Sequence, residues 1–282
     1  GNAARLLGFK RSPPAYLSLT PETSRQIVRG YRGVNYASGG SGILDTTGNT
    51  LTLTKQVEYF AATKSKMTEK SSGIDALLSK SLFLISDGGN DFFAFLRQNL
   101  TASDAPSFYA DMLSNYTKHV QTLYQLGARR FGIVDVPPIG CVPAVRVTSP
   151  DGETACVEAA NALARGFNDA LGRAMAKLAA ALPGMRYSVG SSYNLITFIT
   201  EHPEAAGFKD VASACCGGGR LGAQAWCGAP NATYCANRND HVYWDEVHGT
   251  QATNIKGAKA IFAAPVKLGF AAPINFKQLV SS

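Results

Sequence analysis

The apolar positions of this chain change period in a regular order. SLFLIS (81–86) and RRFGIVDV (129–136) are nearly continuous apolar runs, too short for helices, and read as strands buried on both faces. VNYAS (34–38) and MRYSVGSS (185–192) read as two further strands. Helical spacing separates them, over 55–67, 73–80, about 106–127 and about 153–182. In the last of these Leu163, Phe167, Leu171, Met175, Leu178 and Leu182 keep one face, and Pro183-Gly184 ends it. A final helix is expected near 251–267. The first 32 residues hold a short helical stretch and then turn rich in Pro and Ser, with SPPAYLSLTPE (12–22) as a loop. Strands alternating with helices predict a layered α/β fold around a parallel sheet. No linker, repeat or composition break divides the chain, so residues 1–282 are expected to form one domain.

Composition narrows the classes. With 45% hydrophobic and 17% charged residues, the 282-residue chain fits a globular protein with a substantial core. No apolar run reaches the length of a membrane span, so none is expected. The net charge of +7 arises from 27 basic and 20 acidic residues spread along the chain, which reads as a solvated basic surface. No basic stripe interleaved with aromatics occurs, so a nucleic-acid partner is not expected. Attraction to an acidic polysaccharide is compatible with the sign of the charge.

Six cysteines, Cys141, Cys156, Cys215, Cys216, Cys227 and Cys235, change the picture more. Their number is even and no Cys-x-x-Cys pair occurs, so disulfides are expected and a metal is not. Six cysteines allow fifteen pairings, and Cys141 with Cys156 would be the most local. Asn-x-Ser/Thr sequons stand at Asn99, Asn115 and Asn231. Cysteines and sequons together point to a secreted, N-glycosylated protein. No signal peptide stands within the sequence itself.

The candidate chemistry lies where strands end, because open α/β sheets bind ligands outside the carboxyl ends of their strands. VNYAS runs into Gly39-Gly40-Ser41-Gly42, SLFLIS runs into DGGND (87–91), and HVYWDEVHGT (241–250) places Asp245 three positions before His248. Glycine backbone N–H groups and the Asn90 amide are donors suited to a developing oxyanion. An acid beside a histidine suits an oriented general base. Taken singly, each has a plain structural reading: a tight turn at Gly39, Gly40 and Gly42, a helix cap at Asn90-Asp91, and an N-cap at Asp245. The set is more specific than its members. A nucleotide-binding reading is disfavoured, since no Gly-x-Gly-x-x-Gly and no P-loop lysine occur.

The set resembles the GDSL, or SGNH, family of ester hydrolases, and within it the plant secreted branch. The stretches that carry the resemblance are GVNYASGGSG (33–42), ISDGGND (85–91), VDVPPIGCVP (134–143), CCGGG (215–219) and WDEVHGTQA (244–252). The resemblance implies a three-layer α/β/α flavodoxin-like fold and a Ser-His-Asp acyl transfer without cofactor or metal. His248 would be the base, Asp245 its orienting acid, and Gly39 or Gly40 with Asn90 the oxyanion hole. It also implies a small-molecule, lipid or acylated cell-wall ester as substrate, an extracellular or cell-wall location, and a monomer.

Two departures stand out. The family usually has Pro after the histidine, where this chain has Gly249. More seriously, the family's nucleophile is the serine of a Gly-Asp-Ser-Leu block on its first, central strand, and no Gly-Asp-Ser occurs in these 282 residues. Ser38, Ser41 and Ser86 lie near the glycine turns, yet none occupies that position. The resemblance therefore implies an N-terminally truncated chain without the first strand and nucleophile. The alternative expectation is a catalytically inactive remnant that binds a glycan or acyl ligand.

Overall fold

The two longest apolar runs form the heart of the sheet in the computed structural model, which describes residues 2–28, 33–70, 72–98 and 103–281. Leu82–Ile85 (β1) pairs in parallel with Arg130–Val134 (β2), which pairs in parallel with Arg186–Gly190 (β3). Among the described residues seven α-helices come before the longest one. They are Asn2–Leu6 (α1), Pro21–Val28 (α2), Leu53–Lys70 (α3), Ile74–Lys80 (α4), Gly89–Arg97 (α5), Ala105–Gln125 (α6) and Pro143–Arg146 (α7). Glu158–Ala181 (α8) is the longest. After β3 come Ser192–Glu201 (α9) and Pro203–Ala206 (α10), then Asp210–Ala214 (β4), Cys216–Gly217 (β5), Thr233–Tyr234 (β6) and His241–Tyr243 (β7). Gln251–Ala263 (α11), Ala271–Ala272 (β8) and Phe276–Ser281 (α12) complete the described chain.

Alternation along the strands assigns helices to both faces, as a mixed α/β fold requires. Phe131 and Ile133 of β2 are fully buried in a cluster with Met112 and Val120 of α6 and Phe167, Leu171 and Met175 of α8. Gly132, between them, turns to the other face, where the Phe276 ring of α12 lies close against it. The apolar stripe read from sequence on α8 is the buried one: Phe167, Leu171, Met175 and Leu178 are core, with Leu163 and Leu182 at its margin. A second cluster joins Val142, Leu195, Ile196, Ile199, Phe208, Val242 and Tyr243, with Phe93 of α5 packed against it.

The structure corrects several expectations. Residues 34–38 form no strand; the segment is extended and makes a single bridge, with Tyr16 N donating to Asn35 O and Asn35 N to Pro14 O. An apolar run alone does not make a strand without a ladder partner along its length. The expected loop at 12–22 gives way to α2 at Pro21. Thr20 followed by Pro21 and Glu22 is the signal, with a capping-type residue, Pro at the first helical position and an acid in the first turn. The long helix starts at Glu158 and not near 153, because Cys156 is bonded to Cys141 and Val157 is extended. The short β4–β7 ladder, the antiparallel β8 beside β3, and α12 had no clear periodic signal. β1 has β2 as its partner on one side, and Leu84 is 47% exposed.

Three disulfides resolve the fifteen pairings: Cys141–Cys156, Cys215–Cys235 and Cys216–Cys227. Cys141 does pair with Cys156, 15 residues on, but the most local of the three is Cys216–Cys227, 11 residues apart. No helix among the described residues is long and apolar enough to cross a membrane, and no group of His, Cys, Asp or Glu among them is arranged to hold a metal ion.

Candidate active site

Parallel pairing of β7 with β4 carries the chain into the turn at 244–250. The turn closes on itself: Trp244 N donates to His248 O at 2.7 Å, and Thr250 N donates to Val242 O at 2.9 Å. Asp245 Oδ1 accepts from Val247 N at 3.0 Å and from His248 N at 2.7 Å, an arrangement typical of Asp at the start of a turn. The same carboxylate reaches His248 Nδ1, at 3.0 Å from Oδ1 and 2.9 Å from Oδ2. Asp245 is thus fixed by two backbone amides and in turn fixes the imidazole. The His248 side chain is 76% exposed and that of Asp245 18%. With Nδ1 held, Nε2 is the ring atom left to exchange a proton with a reacting group. The hydrogen bond that Nδ1 donates to the Asp245 carboxylate raises the His248 pKa against the opposing effect of burial. Burial pushes Asp245 up, but hydrogen bonds from His248 and from the Val247 and His248 amides hold it below its ordinary value.

The second group of residues is built where α5 meets the glycine turn. Gly40 has φ 75°, a conformation suited to glycine, and Ser41 N closes the turn on Ser38 O at 3.2 Å. A Cβ on Gly42 would lie 2.5 Å from Thr47 Cβ and 2.8 Å from Asp91 Oδ1, so the turn is packed directly on Asp91. Asp91 is buried and accepts from Ile43 N (2.9 Å), Leu44 N (3.0 Å) and Thr47 Oγ1 (2.6 Å). Its neighbour Asn90 donates from Nδ2 to Ser41 O at 2.8 Å. An amide has two N–H bonds, so one remains for a ligand acceptor. Asp91, which in sequence stands out only as an acid near a helix start, holds the segment that follows the glycine turn. Gly39 has open space around it and lies exposed beside Gly40.

Two pairs are therefore in direct contact, Asp245 with His248 and Asn90 with the 39–42 turn. No hydrogen bond joins the two pairs among the described residues; they are linked by packing, through Phe93 of α5 against the cluster that holds Val242 and Tyr243. Glu246 O also accepts from Ala144 N at 2.9 Å, tying the histidine turn to the segment after β2. Of the serines near the glycine turns, Ser41 is buried, with Oγ donating to Asp87 at 3.3 Å and accepting from Gln56 Nε2 at 2.8 Å. Burial pushes Asp87 up to about 7. A groove of about 530 Å³ lies elsewhere, lined by Asp135, Arg165, Arg173 and Tyr187 among others, and includes neither His248 nor Asn90. Of the sequons, Asn231 is exposed in a turn. Asn115 lies within α6 with its amide on Asp111 O, and Asn99 is outside the described residues.

Comparison with known proteins decides the family. The family model described as GDSL-like Lipase/Acylhydrolase matches residues 3–261. The chain belongs to the GDSL-like lipase/acylhydrolase family. Three similar curated proteins are from Arabidopsis thaliana. GDSL esterase/lipase At2g23540 is 35% identical over 88% of this chain and 67% of its own length. GDSL esterase/lipase At1g71250 is 34% identical over 98% and 75%, and GDSL esterase/lipase APG 33% identical over 89% and 72%. Their names make ester hydrolysis the chemistry of the GDSL relatives, and the parallel-centred α/β architecture agrees with the fold expected from the resemblance.

Proposed function

We propose that this chain carries the proton-transfer and oxyanion residues of a GDSL ester hydrolase working by Ser-His-Asp acyl transfer. The observation that supports this best is the Asp245–His248 pair, held through Nδ1 with Nε2 free to act. In the reaction a serine Oγ attacks the ester carbonyl while His248 Nε2 takes its proton. His248 then gives that proton to the departing alkoxide, and repeats the cycle with water on the acyl-enzyme. Asp245 holds the neutral tautomer and stabilises the imidazolium. Gly40 N–H, or that of Gly39, and the second N–H of Asn90 stabilise the tetrahedral oxyanion. The serine belongs to the family's Gly-Asp-Ser-Leu block, which is not among these 282 residues. That observation favours a second reading for the chain taken alone, a form that binds ligand without turnover.

The test is hydrolysis of p-nitrophenyl acetate by the chain alone and by a version with the Gly-Asp-Ser-Leu block joined ahead of Gly1. Turnover by the longer version should vanish in His248→Ala and fall by roughly 10²–10³ in Asn90→Ala. Turnover indifferent to His248→Ala would overturn the assignment, and turnover by the chain alone would overturn the binding-only reading. Secretion to the cell exterior is supported by the three disulfides and the exposed Asn231 sequon. An ester on a small molecule, a lipid or a cell-wall polymer fits this chemistry, with no metal or organic cofactor, in a monomer of one domain.

A further inference from the structure

The cysteine-rich lobe between 215 and 244 stands directly beside the histidine turn and carries exposed aromatic rings. Tyr234 is 67% exposed and Trp226 65% exposed. The Tyr234 ring lies 6.1 Å from that of Trp244 at an interplanar angle of 38°, and the Arg238 guanidinium sits 5.1 Å over the Trp244 ring. Trp244 is the residue whose N–H holds His248 O, and its own carbonyl accepts from Cys216 N. Trp244 is therefore tied by backbone hydrogen bonds to the turn that holds His248, Tyr234 joins it through ring contact, and Trp226 is held in the same lobe beside the Cys216–Cys227 disulfide.

The lobe is densely cross-linked for its size. Cys215–Cys235 and Cys216–Cys227 cross-link it through adjacent cysteines, and Cys216 pairs with Tyr234 across β5–β6. Gly228, at φ 110°, lies against Trp226, where an added Cβ would meet the indole at 2.7 Å. Tyr234 and Trp244, in ring contact beside Arg238, group their rings on a cross-linked frame. They do not close a core, and they cost little conformational entropy when a ligand settles on them.

We propose that this lobe is a platform for the sugar backbone of an O-acylated polysaccharide, which it presents to His248. This rests on the ester-hydrolase reading above and names its substrate class. Tyr and Trp rings offer an apolar face with a polar edge, which matches a pyranose with its C–H face and flanking hydroxyls. Arg238 supplies donors for ring oxygens and hydroxyls beside the Trp244 face. A lipid chain would need aliphatic surface, and between 215 and 250 the exposed large apolar side chains are Trp226 and Tyr234 alone among the described residues.

The experiment is a binding measurement by affinity electrophoresis and calorimetry, with acetylated xylan, the same xylan after chemical deacetylation, and phosphatidylcholine vesicles. The proposal expects both xylans to bind and the vesicles not to. Tyr234→Ala and Trp226→Ala should each weaken xylan binding about fivefold to tenfold, with Tyr234→Phe close to the parent. Both residues are exposed, so unchanged melting of the variants establishes that folding is intact. Binding of deacetylated xylan does not depend on ester chemistry, so a failed esterase assay leaves this result standing. Absence of xylan binding, equal binding by the alanine variants, or binding to vesicles in place of xylan would overturn the proposal. So would xylan binding that emerges only in Asn231→Gln, which would show the platform to be covered by the protein's own N-glycan.

Discussion

Asp91→Ala is the sharpest test of how the glycine turn beside Asn90 is held. Asp91 is 1% exposed and is the common acceptor for Ile43 N, Leu44 N and Thr47 Oγ1. Removing it leaves three donors without a partner, and a buried unsatisfied donor costs about 1–3 kcal/mol. Ile43 and Thr47 are buried, whereas Leu44 is half-buried and can recover a water. Against this, burial raises the Asp91 pKa, so the wild-type carboxylate carries its own desolvation cost, and that cost disappears with it. The expected net loss is about 2–5 kcal/mol, a large part of a typical total stability of about 5–15 kcal/mol. Asp91→Asn keeps one acceptor oxygen but turns an NH₂ toward the remaining donors, so its loss should fall between wild type and Asp91→Ala. Urea unfolding gives the difference from the midpoints, provided the slope is unchanged. Amide hydrogen exchange at Ile43 and Leu44 localises it to the 39–47 turn. A loss below about 1 kcal/mol, with exchange at those two amides unaltered, would refute the reasoning.

Two further outcomes follow from the charges. In Asp245→Asn the remaining oxygen can still cap the Val247 and His248 amides, so the turn should persist. The imidazole pKa should fall because the carboxylate hydrogen bond that raises it is gone, which NMR titration of the His248 ring reads directly. An unmoved titration would show that Asp245 does not set the proton affinity of His248. Asp135 is buried, accepts from Ser191 Oγ at 2.7 Å, Ser192 Oγ at 2.9 Å and Tyr193 N at 3.0 Å, and is pushed up by burial to about 6. Its folded pKa lies above its unfolded one, so the folded state holds the proton more tightly. This contribution is fully present below about pH 4 and is lost as pH rises through about 6, by up to about 3 kcal/mol. Asp135→Asn should flatten the decline of urea stability between pH 4 and 7, and an equally steep decline in the variant would refute the assignment.

The sequence alone determined the parallel core and the chemistry-bearing turns, because both leave local signatures. SLFLIS and RRFGIVDV are apolar because strands buried on both faces must be, and the stripe on α8 repeats at helical spacing because one face meets Phe131 and Ile133. Asp245 and His248 are three residues apart in one turn, so their contact needs little more than local backbone geometry. What only the tertiary structure decided depends on partners distant in sequence. VNYAS looks like a strand but finds only Asn35 opposite Ala15, and a ladder requires a neighbour that periodicity cannot supply. The choice among fifteen disulfide pairings came from β5 and β6 folding back on one another. Asp91 reads in sequence as one more acid near a helix start. It becomes the clamp of the glycine turn only when α5 brings it beneath Ile43, Leu44 and Thr47, more than forty residues away.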